Sequence, residues 1–171
     1  MVKKSKLFSL LLILPLATLI LSGCGKSASE LAGERAAEKS IENQLGGQAD
    51  VDINNGNIKV ESEQGNIETG DSVKLPDDFP SDVYVIDGKI IVATSNQAEK
   101  SFMLSIDATT GLEEAYSVYQ EKFKAAGWQL TGTMNFGDSA SVVAEKDKRA
   151  ASIYLSRNGD KTNVVVGVAE N

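Results

Sequence analysis

Thr110-Gly111-Leu112-Glu113-Glu114-Ala115-Tyr116-Ser117-Val118-Tyr119-Gln120-Glu121-Lys122-Phe123-Lys124-Ala125-Ala126-Gly127-Trp128 is the stretch on which the fold turns. Leu112, Ala115, Tyr116, Tyr119, Phe123 and Ala126 recur at helical spacing and make one apolar stripe. Thr110 and Glu113 fit a capping box, and Glu114 adds negative charge to the first turn. Lys122 and Lys124 lie near the C-terminal end, Gly127 suits the C′ position, and Trp128 would follow as C″ against Phe123 in a Schellman arrangement. A helix with one apolar stripe needs one apolar surface to lie on.

The flanking segments supply that surface. Val83 to Ile86, Lys89 to Ala93 and Ser101 to Asp107 read as strands, with Phe102, Leu104 and Ile106 on one face of the third. After the helix the period returns to two: Trp128, Leu130 and Met134, then Val142 and Ala144, then Ile153 and Leu155, then Val164, Val166 and Val168. Gly137-Asp138, Lys146-Asp147-Lys148 and Asn158-Gly159 are the turns between them. Strands, one helix and a four-strand meander predict an α+β fold, an antiparallel sheet with one main helix packed on it. On the reverse face of that sheet Tyr154, Val143 and Val165 alternate with core positions, so an apolar patch there is the expected partner surface.

Upstream, Pro76 and Pro80 flank Asp77-Asp78-Phe79 in an extended lead-in. Val51 and Ile53 before Asn54-Asn55-Gly56-Asn57, with Ile58 and Val60 after it, predict a β-hairpin, and the Gly-Asn-Ile triplet at 56–58 returns at 65–67. Ser27 and Glu30 fit a capping box for a helix over 29–45 with a thin stripe of Ala37, Ile41 and Leu45, stopped by Gly46 and Gly47.

At the N-terminus, Lys3, Lys4 and Lys6 precede an apolar run from Leu7 to Leu21, interrupted by Pro15. Fifteen residues of helix rise only about 22 Å, short of a hydrocarbon core of roughly 30 Å, so this reads as a signal peptide rather than a span. The run ends in Leu21-Ser22-Gly23-Cys24, which resembles the lipobox of bacterial lipoproteins. That resemblance implies acylation of Cys24, with cleavage before it and membrane anchoring through acyl chains such as palmitate. Gly25, where aspartate is the usual inner-membrane retention signal, implies the periplasmic face of the outer membrane. In a Gram-positive cell the same motif implies the outer face of the cytoplasmic membrane. The helix Tyr116 to Trp128 and the lead-in Leu75-Pro76-Asp77-Asp78-Phe79-Pro80-Ser81-Asp82-Val83 are similar to segments of small α+β domains in uncharacterised envelope lipoproteins. The chain thus divides into a signal peptide (1–23), a lipidated tether with a short helix (24–47), a β-hairpin segment (48–72) and an α+β domain (73–171).

Composition narrows function. The chain has 17 Lys and Arg against 24 Asp and Glu. The signal segment holds three of those lysines and no acid, so the remainder has 14 against 24, a net charge of −10. That argues against nucleic acid and against electrostatic adhesion to anionic lipid. No histidine is present and Cys24 is the only cysteine. Disulfides, Cys/His metal sites, Ser-His-Asp triads and Cys-His dyads are therefore impossible within the chain. Glu113-Glu114 has a structural explanation at a helix start, and Asp77-Asp78 sits in a loop. Ser95, Lys100 and Ser101 match no nucleophile motif. For calcium, Asp50, Asp52, Asn54 and Glu61 fall at positions 1, 3, 5 and 12 of an EF-hand count, but Asn55 stands where glycine belongs, and the apolar alternation favours a hairpin turn. No cofactor and no catalytic residue is expected. The expected function is a lipid-anchored, non-catalytic protein-binding or assembly role, with an envelope protein as partner. The alternative is a module binding a small ligand or ion.

Overall fold

The computed structural model describes residues 27–170. The signal segment, Leu21 to Gly23 and Cys24 lie outside the described residues. The elements in chain order are α1 (Ala28–Gln44), β1 (Ala49–Asn54), β2 (Asn57–Ser62), β3 (Gly65–Thr69), β4 (Gly88–Asn96), β5 (Ser101–Ala108), α2 (Leu112–Ala125), β6 (Gln129–Asn135), β7 (Ser139–Lys146), β8 (Arg149–Asn158) and β9 (Lys161–Glu170). The fold is α+β: all nine strands join one antiparallel sheet in the order β1-β2-β3-β4-β5-β9-β8-β7-β6.

The order explains where α2 must lie. The chain leaves β5 and re-enters the sheet at its far edge, four strands away. Four spacings of about 4.8 Å come to about 19 Å, and the 14 residues of α2 rise about 21 Å. One helix is therefore long enough to carry the chain under β9, β8 and β7, and the β6–β9 meander then fills the gap from the edge inward. The stripe faces the sheet as the periodicity predicts. Leu112, Ala115, Tyr119 and Phe123 are buried against Leu104, Ile106, Val142, Ile153, Leu155, Val164 and Val166. The helix ends as a Schellman motif: Trp128 donates its amide to the Phe123 carbonyl at 2.9 Å, and Gly127 donates to Lys124 at 3.1 Å. Gly127 sits at φ +82°, which its missing Cβ permits.

The start of α2 differs from expectation. Gly111, not Thr110, is the N-cap, and no side chain caps it. Glu113 instead reaches across to accept from the Asn135 side-chain amide at 3.0 Å. Val83–Ile86 is not a strand either. The residues from 73 to 87 form an irregular strap over the core face of β4, β5 and β9, where Phe79, Val83 and Ile86 are buried and Phe79 meets Phe102 edge-on at 5.6 Å. The strap is pinned at Asp82. Arg149 donates to both its carboxylate oxygens, at 2.8 and 2.7 Å, and Lys146 donates at 2.7 Å. Trp128 donates its indole N–H to the Asp82 carbonyl at 3.0 Å, with the Arg149 guanidinium 5.1 Å from the ring.

The hairpin of β1 and β2 forms around Asn55-Gly56, both at positive φ, as in a type I′ turn. The segment extends beyond a hairpin: β3 adds a third strand and pairs with β4, so the sheet is continuous. The repeated Gly-Asn-Ile stands at the entry to β2 and to β3. The Ser27–Glu30 capping box is present on α1. Its expected stripe is not what faces the sheet: Ala37 and Leu45 are exposed, while Glu34, Glu38, Ile41 and Glu42 are half-buried.

Candidate functional site

One face of the β5–β9–β8–β7–β6 half of the sheet lies under α2 and the strap. The other carries an apolar surface. Cross-strand register places Met103, Gly167, Ser152, Val143 and Gly132 in one row. The next row is Ser105, Val165, Tyr154, Ser141 and Met134. Alternation puts all ten opposite the core positions. Met134 is 54% exposed, Tyr154 52%, Met103 42% and Val143 36%, and Val165 is half-buried. Small residues between them leave a shallow groove of about 280 Å³ whose lining includes Val143, Ser152, Gly167 and Ala169. Phe136, 74% exposed, extends the surface at the β6–β7 turn. On the next row out, Asn163 donates to Ser105 at 3.2 Å and lies 3.5 Å from the Asp107 carboxylate.

The residues expected from the sequence to form a partner surface do come together. Tyr154 and Val165 are direct cross-strand neighbours, and Val143 lies one row away on the adjacent strand. Met103, Met134 and Phe136 were not among them. Met134 was expected on one strand face with Trp128 and Leu130, but a register shift between Leu130 and Gly132 turns the remainder of β6 over and sends it outward. Gly132, an isolated glycine within a strand pattern, is the signal in the sequence that marks such a bulge.

The other candidate residues are not assembled. Asp50, Asp52 and Asn54 run along β1, pairing with Glu61, Lys59 and Asn57. Lys59 forms an ion pair with Glu61 at 2.8 Å, and the Glu61 side chain, more than any other group, raises the Lys59 pKa. The four calcium candidates thus lie along a flat ladder rather than around a common centre, because period-two apolar residues hold this segment extended. Among the described residues no three or more carboxylate, thiol or imidazole groups are gathered to hold a metal. Glu42, Asp50, Glu61 and Glu63 line an open groove of about 970 Å³ beside the end of α1. Lys100 pairs with Glu170 at 2.7 Å rather than with a serine.

The space under α2, a conceivable ligand pocket, is filled. Tyr119, Phe123, Leu104, Ile106, Leu155, Val164 and Val166 have no exposed surface. Burial raises the Tyr119 phenol above its usual range, and its oxygen accepts from the Ile86 amide at 3.4 Å. A cleft of about 520 Å³ does open at the strand ends, lined by Asp78, Pro80, Phe102, Lys100, Arg149 and Glu170 among others. Its cations are already engaged, Arg149 by Asp82 and Lys100 by Glu170.

A family model described as START domain-like matches residues 90–163. That stretch runs from within β4 to within β9, takes in α2 and the strands it rests on, and is less than half of the chain. A helix on an antiparallel sheet is consistent with a START-like fold. No curated protein matches the chain, and no solved structure does.

Proposed function

We infer that the chain is a lipid-anchored cell-envelope protein that binds another protein, without catalysis, through the sheet face opposite α2. The observation that carries this reading is the exposure of Met103, Val143, Tyr154 and Met134 on one continuous surface. Such a face, rimmed by Asp107 and Asn163, fits an apolar contact with a polar border. Among the described residues no helix is long and apolar enough to cross a membrane. Membrane attachment is assigned to acyl chains on Cys24 because Leu21-Ser22-Gly23-Cys24 resembles a lipobox. The periplasmic face of the outer membrane is the proposed site, or the outer face of the cytoplasmic membrane in a Gram-positive cell.

A photo-crosslinking residue at Tyr154, introduced into the full chain in intact cells, tests the surface. The expected result is one reproducible protein adduct that Val143→Asp abolishes; no adduct at Tyr154 overturns the reading. Cys24→Ala tests the anchor separately and should move the protein out of the membrane fraction.

The runner-up is a small ligand in the cleft lined by Phe102 and Arg149, whose volume suits one.

A further inference from the structure

The two edges of the sheet are finished differently. On β1, alternation turns the amides of Val51 and Ile53 outward, and the carboxylates of Glu42 and Glu38 on α1 accept them. On the opposite edge nothing among the described residues pairs with β6. The Phe136 amide donates to the Ser139 carbonyl at 2.8 Å and closes a two-residue turn. Alternation from that pair leaves the amide and carbonyl of Thr133 and of Asn135 pointing away from β7. Proteins commonly blunt such an edge with charge or proline. Gln129-Leu130-Thr131-Gly132-Thr133-Met134-Asn135 has neither. Among the nine strands of the described residues, β6 alone lacks a charged side chain.

We propose that β6 pairs antiparallel with β6 of a second copy of this chain, on a two-fold axis through Thr133. Charge permits a second copy at this edge. The chain carries a net charge of −7, so two copies repel wherever both surfaces are acidic. β6 offers an uncharged stretch from each, and Glu113 beside it is held by the Asn135 side-chain amide. Fit selects the register. Thr133 exchanges both backbone bonds with its own counterpart, Asn135 faces Thr131, and Met134 of each copy stands opposite Gly132 of the other. Met134 and Gly132 share the outer face, and a Cβ placed on Gly132 would meet only Val143, at 3.7 Å or beyond. The Met134 side chain of one copy therefore lies over Gly132 and Val143 of the other. The pairing merges two nine-stranded sheets into one and joins their outer faces across the axis. It stands whether or not those faces bind a different protein.

An edge pairing this short buries less than the roughly 1,200–2,000 Å² of a stable interface, so the dimer is concentration-dependent, and covalent trapping is the suitable assay. In the full chain, Thr133→Cys places two thiols on Cα atoms about 5.5 Å apart, within disulfide range. Thr131→Cys is the register control, because its counterpart lies about 14 Å away. Mild oxidation should give a covalent dimer from Thr133→Cys at least about tenfold above both Thr131→Cys and the wild-type chain, whose only cysteine is Cys24. Thr133→Lys sets like charges across the axis and should weaken dimerisation in sedimentation at least about tenfold. Thr133 is exposed, so its melting curve should stay that of the wild type. No trapped dimer above the wild-type background, equal trapping at position 131, or dimerisation unchanged by Thr133→Lys would each overturn the proposal.

Discussion

Helix α2 puts Leu112, Ala115, Tyr119 and Phe123 into the sheet, whereas none of the 17 residues of α1 is buried. α1 meets β1 through Glu38, which accepts the Ile53 amide at 2.9 Å, and Glu42, which accepts that of Val51 at 3.4 Å. The geometry suits this use. Residues four apart on a helix rise about 6 Å, and outward amides two residues apart on a strand are about 7 Å apart, so two carboxylates meet two amides. The two contacts differ in kind. Burying apolar surface removes it from water altogether, while a half-exposed hydrogen bond replaces one to water and contributes only about 1 kcal/mol. α2 belongs to the core, and α1 is a cover on an edge.

Phe123→Ala should produce the largest effect. It empties a fully buried site between α2 and the meander and should cost about 3–5 kcal/mol in urea unfolding. A loss below about 1 kcal/mol would show that α2 is held no more firmly than α1.

Asp82→Asn comes next, at about 2 kcal/mol, because it removes the charged acceptor of Arg149 and Lys146. The Arg149 hydrogen bonds hold the Asp82 carboxyl well below the usual carboxylate range. A lowered native pKa means the stabilisation is complete above the unfolded value of about 4 and is lost as pH falls through the native one. The wild type should therefore exceed Asp82→Asn by a constant margin from about pH 5 to 8, and the margin should shrink in stronger acid. A margin that grows on acidification would contradict the assignment.

Glu38→Gln combined with Glu42→Gln should have the smallest global effect, under about 1 kcal/mol. Hydrogen exchange is the informative readout. Amides of α1 should lose protection while those of α2 keep theirs. Equal loss in both helices would mean that α1 is part of the cooperative core.

The elements legible in the sequence were those that local spacing determines. The stripe and Schellman end of α2, the Asn55-Gly56 hairpin and the Ser27–Glu30 box each involve residues a few positions apart, and the structure has all of them. Features set by distant partners were not legible. Glu113 left its expected cap role for Asn135, 22 residues on. Val83 and Ile86 look like strand residues because they are buried, yet Asp82 ties that segment to β7 and β8 instead of to a ladder. Pairing of β3 with β4 spans the whole strap and leaves no local trace. Of the outer face, Tyr154, Val143 and Val165 followed from alternation alone, while Met134 needed the bulge at Gly132.

The antiparallel course of α1 along β1 has a mechanical side. Glu38 meets Ile53 and Glu42 meets Val51, so Ser27 stands at the open end of that row. A load drawn from Ser27 away from the sheet reaches the Glu38 bond before the Glu42 bond and opens them in turn. Unzipping of this kind needs far less force than shearing all contacts at once. The 17 residues then pass from about 25 Å of helix to about 58 Å of extended chain. Under such a load α1 would lengthen before the sheet bore the strain.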